Sequence, residues 1–309
     1  MSPASTLGNL LRMGHCAPTV MRSVGGLSSP DEDWLVRLSA GMPGGIGNTG
    51  HECGAVTSSL VLLGMHLGLR DVDRGLPVIF DRSHALCQRF VARHHTLQCE
   101  EIRGDDRFPR HCIPPILGAP GLFSEVAFDD VRDAIPAGAR EAYARTYSHM
   151  AEKQFHCAQA VLLRLQDGGP HRQDVVDAAS AFIGGTAFMG LTCSAYVAGV
   201  MALGLTRGEI EDSVPRVVRM LSMMTFGGNA LGADVNKFNP SLMRGYRLSR
   251  WFAHEFGSTQ CSAITQCDLA TAQGVEQYVK DGRITGCMAI AEKVAAKVER
   301  MLSAEAKVS

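Results

Sequence analysis

The stretch GGIGNTGHECGAVTSSLVLLGMHLG, Gly44 to Gly68, joins a glycine-rich loop to an apolar run, with Cys53 at the junction. A second stretch, GGTAFMGLTCSAYVAGVMALG, Gly184 to Gly204, repeats it. Setting Cys53 on Cys193 (193 − 53 = 140) also matches Gly44 with Gly184, Gly45 with Gly185, Gly50 with Gly190, Ala55 with Ala195, Leu63 with Leu203 and Gly64 with Gly204. Each apolar run is shorter than the ~20 residues that a membrane-spanning helix needs, so both predict buried core helices. The chain is organised around this duplicated loop and helix.

The duplication extends in both directions. MGHCAPTV matches QFHCAQAV, with His15 on His156 and Cys16 on Cys157 (157 − 16 = 141). LCQRFVARHHTLQCEEI matches LSRWFAHEFGSTQCSAI, with Phe90 on Phe252, Gln98 on Gln260 and Cys99 on Cys261 (261 − 99 = 162). The step from 140 to 162 puts about 22 extra residues in the second copy, most of them in the loop-like Phe226–Pro240 segment. Cys112 then pairs with Cys287, across a further insertion. Four cysteines recur in order: Cys16, Cys53, Cys99 and Cys112, then Cys157, Cys193, Cys261 and Cys287. Cys87 faces Ser249 and Cys267 falls in the insertion, so both read as structural.

No segment alternates apolar and polar residues as a strand does, and the remaining pattern is helical. Helices are expected over Leu10–Val24 (limited by Pro18), from the Ser29-Pro30-Asp31 start to Gly41, and over Glu52–Leu69 and Val78–His95. In the second half they are expected over Ala139–Gln166, Asp174–Phe182, Cys193–Leu205, Thr206–Met224, Leu242–Phe256 and Ile284–Leu302. The prolines of DDRFPRHCIPPILGAPG argue against helix there. The fold class is all-α, with two homologous helical-bundle domains in tandem: repeats over 1–118 and 139–309, a linker over 119–138, and a pseudo-two-fold relation as in a fused, monomeric dimer.

Composition narrows the function. With 309 residues, a formal net charge of −1 and dispersed basic side chains, nothing points to nucleic acid or to membrane insertion. The N-terminus lacks the charged start, apolar core and cleavage site of a secretory signal, and the chain reads as cytoplasmic. Ten cysteines in a reducing compartment point to metal or catalysis before disulfides. No Cys-x-x-Cys occurs, which removes zinc ribbons, thioredoxin-like sites and covalent haem attachment. The glycine loops lack the Gly-Lys-Ser/Thr ending of a phosphate-binding loop. His15 and His156 read as capping or core side chains, because adjacent helical residues point in different directions. Arg244, Arg247 and Arg250 read as a solvated face, and no hydrolase triad or carboxylate pair stands out.

Here the chain resembles a family of redox-active proteins named for one cysteine, a Cys-Gly-Ala-x-x-Gly element and two further cysteines. The residues that carry this are Cys16, Cys53-Gly54-Ala55-Val56-Thr57-Ser58, Cys99 and Cys112, then Cys157, Cys193-Ser194-Ala195-Tyr196-Val197-Ala198, Cys261 and Cys287. One family domain spans about one half of the chain, so the protein resembles two fused copies. A related domain is the non-haem part of split-Soret cytochromes. The resemblance implies redox or metal chemistry.

Iron–sulfur clusters are usually held by four thiolates, the number that recurs in each half. Cys53 and Cys193 start helices, where free N–H groups favour a thiolate. The expectation is therefore an electron-transfer protein that binds one iron–sulfur cluster per repeat through those eight cysteines, and that meets a redox partner protein or a small redox molecule. Two alternatives use the same residues: a metal-free thiol–disulfide oxidoreductase or redox sensor, and a non-enzymatic zinc or scaffold module.

Overall fold

The computed structural model describes residues 3–24, 33–69, 76–106, 109–166, 169, 171–208, 214–225 and 239–306. The helices in the first half are α1 (Pro3–Met13), α2 (Cys16–Val24), α3 (Asp33–Leu38), α4 (Gly54–Leu67), α5 (Val78–His94), α6 (Cys99–Arg103) and α7 (Ile113–Ala127). In the second half they are α8 (Ala137–Glu152), α9 (Cys157–Leu165), α10 (Arg172–Ala178), α11 (Ser194–Arg207), α12 (Val214–Thr225), α13 (Pro240–Phe256), α14 (Cys261–Thr265), α15 (Ala272–Lys280) and α16 (Arg283–Ala306). No strand occurs among the described residues, which are otherwise marked by two isolated bridges, Glu52 to Gln98 and Thr192 to Gln260. Each bridge lies within one repeat, and the two occupy equivalent positions. The expected Ser29-Pro30-Asp31 helix start and all but Asn239 and Pro240 of the Phe226–Pro240 loop lie outside the described residues.

Two expectations need correction. The proline-rich segment ends in helix α7. Pro114 and Pro115 sit in its first turn, where a missing N–H leaves no helical bond unmade. Pro120 does remove a bond from the interior. Burial of Ile116, Ala119, Leu122, Phe123 and Val126 against α1 and α2 offsets that loss. The helices expected over Leu10–Val24 and Ala139–Gln166 are each two, α1 with α2 and α8 with α9. Gln154 takes a left-handed φ of 49° between α8 and α9, and Gly14, between α1 and α2, takes 69°. In both repeats the break makes the first cysteine the opening residue of a new helix.

The chain forms two compact units, and neither is continuous in sequence. Unit 1 is Met1–Leu62, Leu86–Asp129 and Val200–Leu248; unit 2 is Leu63–Ala85, Asp130–Gly199 and Ser249–Ser309. Each unit therefore takes helical segments from both repeats. Two equivalent glycines show the exchange. In unit 1, a Cβ on Gly204 of α11 would stand 2.4 Å from the Arg37 carbonyl oxygen of α3. In unit 2, a Cβ on Gly64 of α4 would stand 2.6 Å from the Asp177 carbonyl oxygen of α10. Arg37 and Asp177 are themselves 140 residues apart (177 − 37), so each repeat's helix packs on the other repeat's version of the same site.

The core of unit 1 contains Val20, Met21, Leu38, Met42, Leu60 and Phe90, all within 1% of full burial. Unit 2 is richer in rings. Phe188 packs at a tilt against Phe80 (centroids 5.3 Å apart) and Tyr143 (5.6 Å), and Tyr196 lies 5.5 Å from Phe252.

Candidate functional site

The glycine loops wind left-handed. Gly44, Gly45, Ile46, Gly47 and Asn48 all have φ between 51° and 80°, and Gly184, Gly185, Thr186, Ala187 and Phe188 all have φ between 46° and 70°. Residues other than glycine resist this conformation, at ~1–2 kcal/mol each. Backbone bonds hold the turn: Gly47 N–H to the Gly41 carbonyl at 2.7 Å and Gly50 N–H to Gly44 at 2.9 Å, matched by Ala187 to Ala181 at 2.9 Å and Gly190 to Gly184 at 3.2 Å. The strain falls on the non-glycine positions, Ile46 and Asn48 in the first loop and Thr186, Ala187 and Phe188 in the second, and strain of this kind marks a functional backbone.

Each loop delivers two cysteines to one place. In unit 1, Cys53 N–H bonds to the Leu97 carbonyl (2.8 Å), Cys99 N–H to His51 (2.6 Å) and Glu100 N–H to Gly50 (3.0 Å). In unit 2, Cys193 bonds to Thr259 (2.8 Å), Cys261 to Leu191 (2.7 Å) and Ser262 to Gly190 (3.1 Å). Hydroxyls at matched positions shape the approach: Thr96 Oγ1 and Ser258 Oγ each accept from the N–H two residues on, at 3.0 Å.

All eight predicted cysteines come together, four per unit. Cys16, Cys53, Cys99 and Cys112 lie close enough for every pair to interact by charge. The same holds for Cys157, Cys193, Cys261 and Cys287. Cys16, Cys99, Cys157 and Cys261 open helices, Cys53 and Cys193 immediately precede one, and Cys112 is the N-cap of α7. Cys287 alone lies a turn inside its helix, α16. Helix N-termini therefore converge on the sulfurs and present a positive end to them.

Burial opposes ionisation. It pushes Cys112 and Cys193 up to about 12 and Cys287 to about 11, and it holds Cys53 and Cys261 well above the ordinary thiol value. Neighbouring cysteines add repulsion. Against this, backbone N–H groups of Gly44, Ala17 and Gly54 bond to Cys16, while the N–H groups of Gly184 and Ala158 bond to Cys157. The sulfurs are thus prepared for negative charge, yet they stay protonated near neutral pH unless a cation joins them. All ten cysteines of the chain are free thiols.

Thiolate donors with oriented N–H groups suit an iron–sulfur centre. A single ion is a poorer match, because among the described residues no three His, Cys, Asp or Glu close tightly enough to hold one. In unit 2 the four cysteines line a cavity of about 20 Å³, room for little more than one water, walled by Ile264, Leu269, Tyr278 and Ile290. A polynuclear centre there requires that apolar wall to give.

Of the residues outside the two sets, Cys87 is buried and interacts by charge with Glu52, the residue before Cys53. Cys267 interacts by charge with Cys261 and Cys287, and its thiol donates to the Thr265 carbonyl at 3.2 Å. The histidines are structural. His156 caps α9, accepting at Nδ1 from Gln159 N–H (3.3 Å) and donating from Nε2 to Ser180 (3.4 Å), and burial lowers it to about 4. Burial and Arg216 hold His15 at about 3. Tyr278 was not foreseen: it lies in an insertion that has no first-repeat partner to compare.

Burial also raises Cys87 to about 12, from an unfolded value near 9. Its contribution to stability is full below pH 9 and falls as pH climbs towards 12, by ~1.4 kcal/mol per unit. Urea unfolding of the reduced, metal-free chain at pH 7 and pH 10 is expected to show that loss, and Cys87→Ala is expected to lessen it. Equal slopes in the two proteins would contradict the assignment.

A family model described as "Putative redox-active protein (C_GCAxxG_C_C)" matches residues 14–122 and again 155–301. Neither the curated proteins nor the solved structures contain a match to the chain. The family's pattern sets glycine before its second cysteine and alanine after it. Those positions hold Glu52 and Gly54 in the first repeat and Thr192 and Ser194 in the second, a register shifted by one from the Cys53-Gly54-Ala55 reading. No described helix is long and apolar enough to cross a membrane.

Proposed function

The chain belongs to the C_GCAxxG_C_C family of redox-active proteins, and from that premise we propose that each four-cysteine set holds one iron–sulfur centre. Cys16, Cys53, Cys99 and Cys112 are the ligands in unit 1; Cys157, Cys193, Cys261 and Cys287 are the ligands in unit 2. When bound, such a centre supplies reversible one-electron chemistry. The electrons come from, or go to, a partner protein or a small redox molecule.

One observation carries this reading. Four thiols per unit, buried or half-buried, meet one another, all but Cys287 at a helix N-terminus, with N–H groups on sulfur but too little positive charge to ionise them. A bound iron–sulfur centre would supply the missing charge. The protein's own part is to hold the sulfurs through the left-handed loop, to donate hydrogen bonds to them, and to keep water away with a buried apolar wall.

The narrow unit 2 cavity favours a second reading, metal-free dithiol chemistry. That reading needs a thiolate to attack, and burial works against it. Anaerobic purification separates the two. The expected protein is brown, with iron and acid-labile sulfide in similar amounts. A colourless chain without either, which loses thiols in pairs under mild oxidation, would establish the metal-free reading instead.

A further inference from the structure

The two four-cysteine sets share a backbone frame but differ in what stands beside the sulfurs. In unit 1 the Arg103 guanidinium lies near Cys99 and Cys112. Gly54 leaves space beside Cys16, since a Cβ there would come 2.7 Å from its sulfur. In unit 2 the position of Arg103 is taken by Thr265 (265 − 103 = 162), whose hydroxyl donates to the Cys261 carbonyl at 2.9 Å. Gly54 is replaced by Ser194, whose hydroxyl donates to the Phe182 carbonyl and accepts from Gly185 N–H at 3.2 Å.

The largest difference is α15. Cys99 and Cys112 are 13 residues apart (112 − 99), whereas Cys261 and Cys287 are 26 apart (287 − 261), and the added length contains this helix. α15 packs on α8 and α16 and is capped by Thr271, which accepts from Gly274 N–H at 3.1 Å. It brings Tyr278 to full burial, with its ring edge-on to His149 at 6.1 Å. The Tyr278 hydroxyl points at Cys287 Sγ, 3.6 Å away, a hydrogen-bond distance for sulfur. The same ring forms part of the wall around Cys157, Cys193 and Cys261. A helix inserted into one repeat thus places a buried donor on the one cysteine that lacks a helix N-terminus.

We propose that Tyr278 is a positioning residue for the second centre alone: its hydroxyl orients the Cys287 sulfur and tunes its electron density, so that the two centres of the chain differ in reduction potential. This rests on the iron–sulfur reading above. Hydrogen bonds to ligand sulfur are among the factors that set the potential of such a centre. A donor on sulfur favours the form with one more electron, because that form carries one more negative charge. In a titration the electron comes from dithionite, which is oxidised as the centre is reduced.

The test compares the anaerobically purified full chain with Tyr278→Phe, which removes the hydroxyl and keeps the ring. Iron and sulfide content, the thermal unfolding temperature and a dithionite titration followed by paramagnetic resonance are measured on both. The expected result is two signals with distinct potentials in the native chain, one of which moves to lower potential in the variant while the other stays. Loss of half the iron with the other signal intact would also support the role, since only the hydroxyl has been removed. Full iron with both potentials unchanged, or both shifted alike, would overturn it. Absence of iron and sulfide from the native chain would instead sink the iron–sulfur reading beneath it.

Discussion

Cys53→Ser and Cys193→Ser should each remove about half of the iron and acid-labile sulfide from the anaerobically purified chain, and the double variant should contain almost none. The four thiols of each set lie in one unit, Cys53 with Cys16, Cys99 and Cys112, and Cys193 with Cys157, Cys261 and Cys287. Serine is close in size to cysteine but a far weaker iron ligand at neutral pH, because its hydroxyl does not ionise there. Metal analysis reads the loss directly. If either single variant emptied both centres, the sets would not be independent; if neither lost iron, these cysteines would not be ligands. Cys87→Ser is the control. Its sulfur is buried and has no counterpart in the second repeat, so iron content should hold even if the buried hydroxyl costs ~1–2 kcal/mol of stability.

Much of this was legible in the residues. The duplicated cysteines could be paired through the residues around them, such as His15 with His156, Gly44 with Gly184 and Gln98 with Gln260, even though the offset steps from 140 to 162. The helical class was equally visible, since α4, α5, α11 and α13 follow an apolar period within two residues of the expected bounds. Three things were hidden, each for a physical reason. The α8–α9 break lies inside a continuous helical pattern, because Gln154 adopts its left-handed φ without a glycine to announce it. Helix α7 hid behind its prolines, since only tertiary burial shows that Pro120 can be accommodated. The exchange of helical segments between units could not be read at all. A repeat pattern tells which segments are equivalent, but not which copy a glycine such as Gly64 packs against. Tyr278 belongs with these: a tyrosine in an unmatched insertion carries no periodic signal.

Gly45→Ala should destabilise the chain by roughly 3 kcal/mol or more and should also empty the first centre. The left-handed φ of 80° is only part of the reason. Thr186, Ala187 and Phe188 tolerate the same region in the second loop, so the conformation alone does not demand glycine. Contact does. A Cβ at Gly45 would stand 2.4 Å from His51 N and 2.6 Å from both the Gly50 carbonyl carbon and the His51 oxygen, all of them backbone atoms that no rotamer change can move. The His51 oxygen accepts the 2.6 Å bond from Cys99 N–H, so the displacement passes straight to Cys99. Gly185 repeats the geometry, with a Cβ 2.6 Å from the Leu191 oxygen and 2.7 Å from Cys261 Cβ. Gly118→Ala makes the contrast. It lies in α7 with nothing within 4 Å, and there alanine should stabilise by up to ~1 kcal/mol through helix propensity. Thermal unfolding and iron content of Gly45→Ala, Gly185→Ala and Gly118→Ala test the idea together. If Gly45→Ala and Gly118→Ala behaved alike, the loop would be a passive connection; opposite signs, with iron lost only from the loop variants, would make it the frame that sets the sulfurs in place.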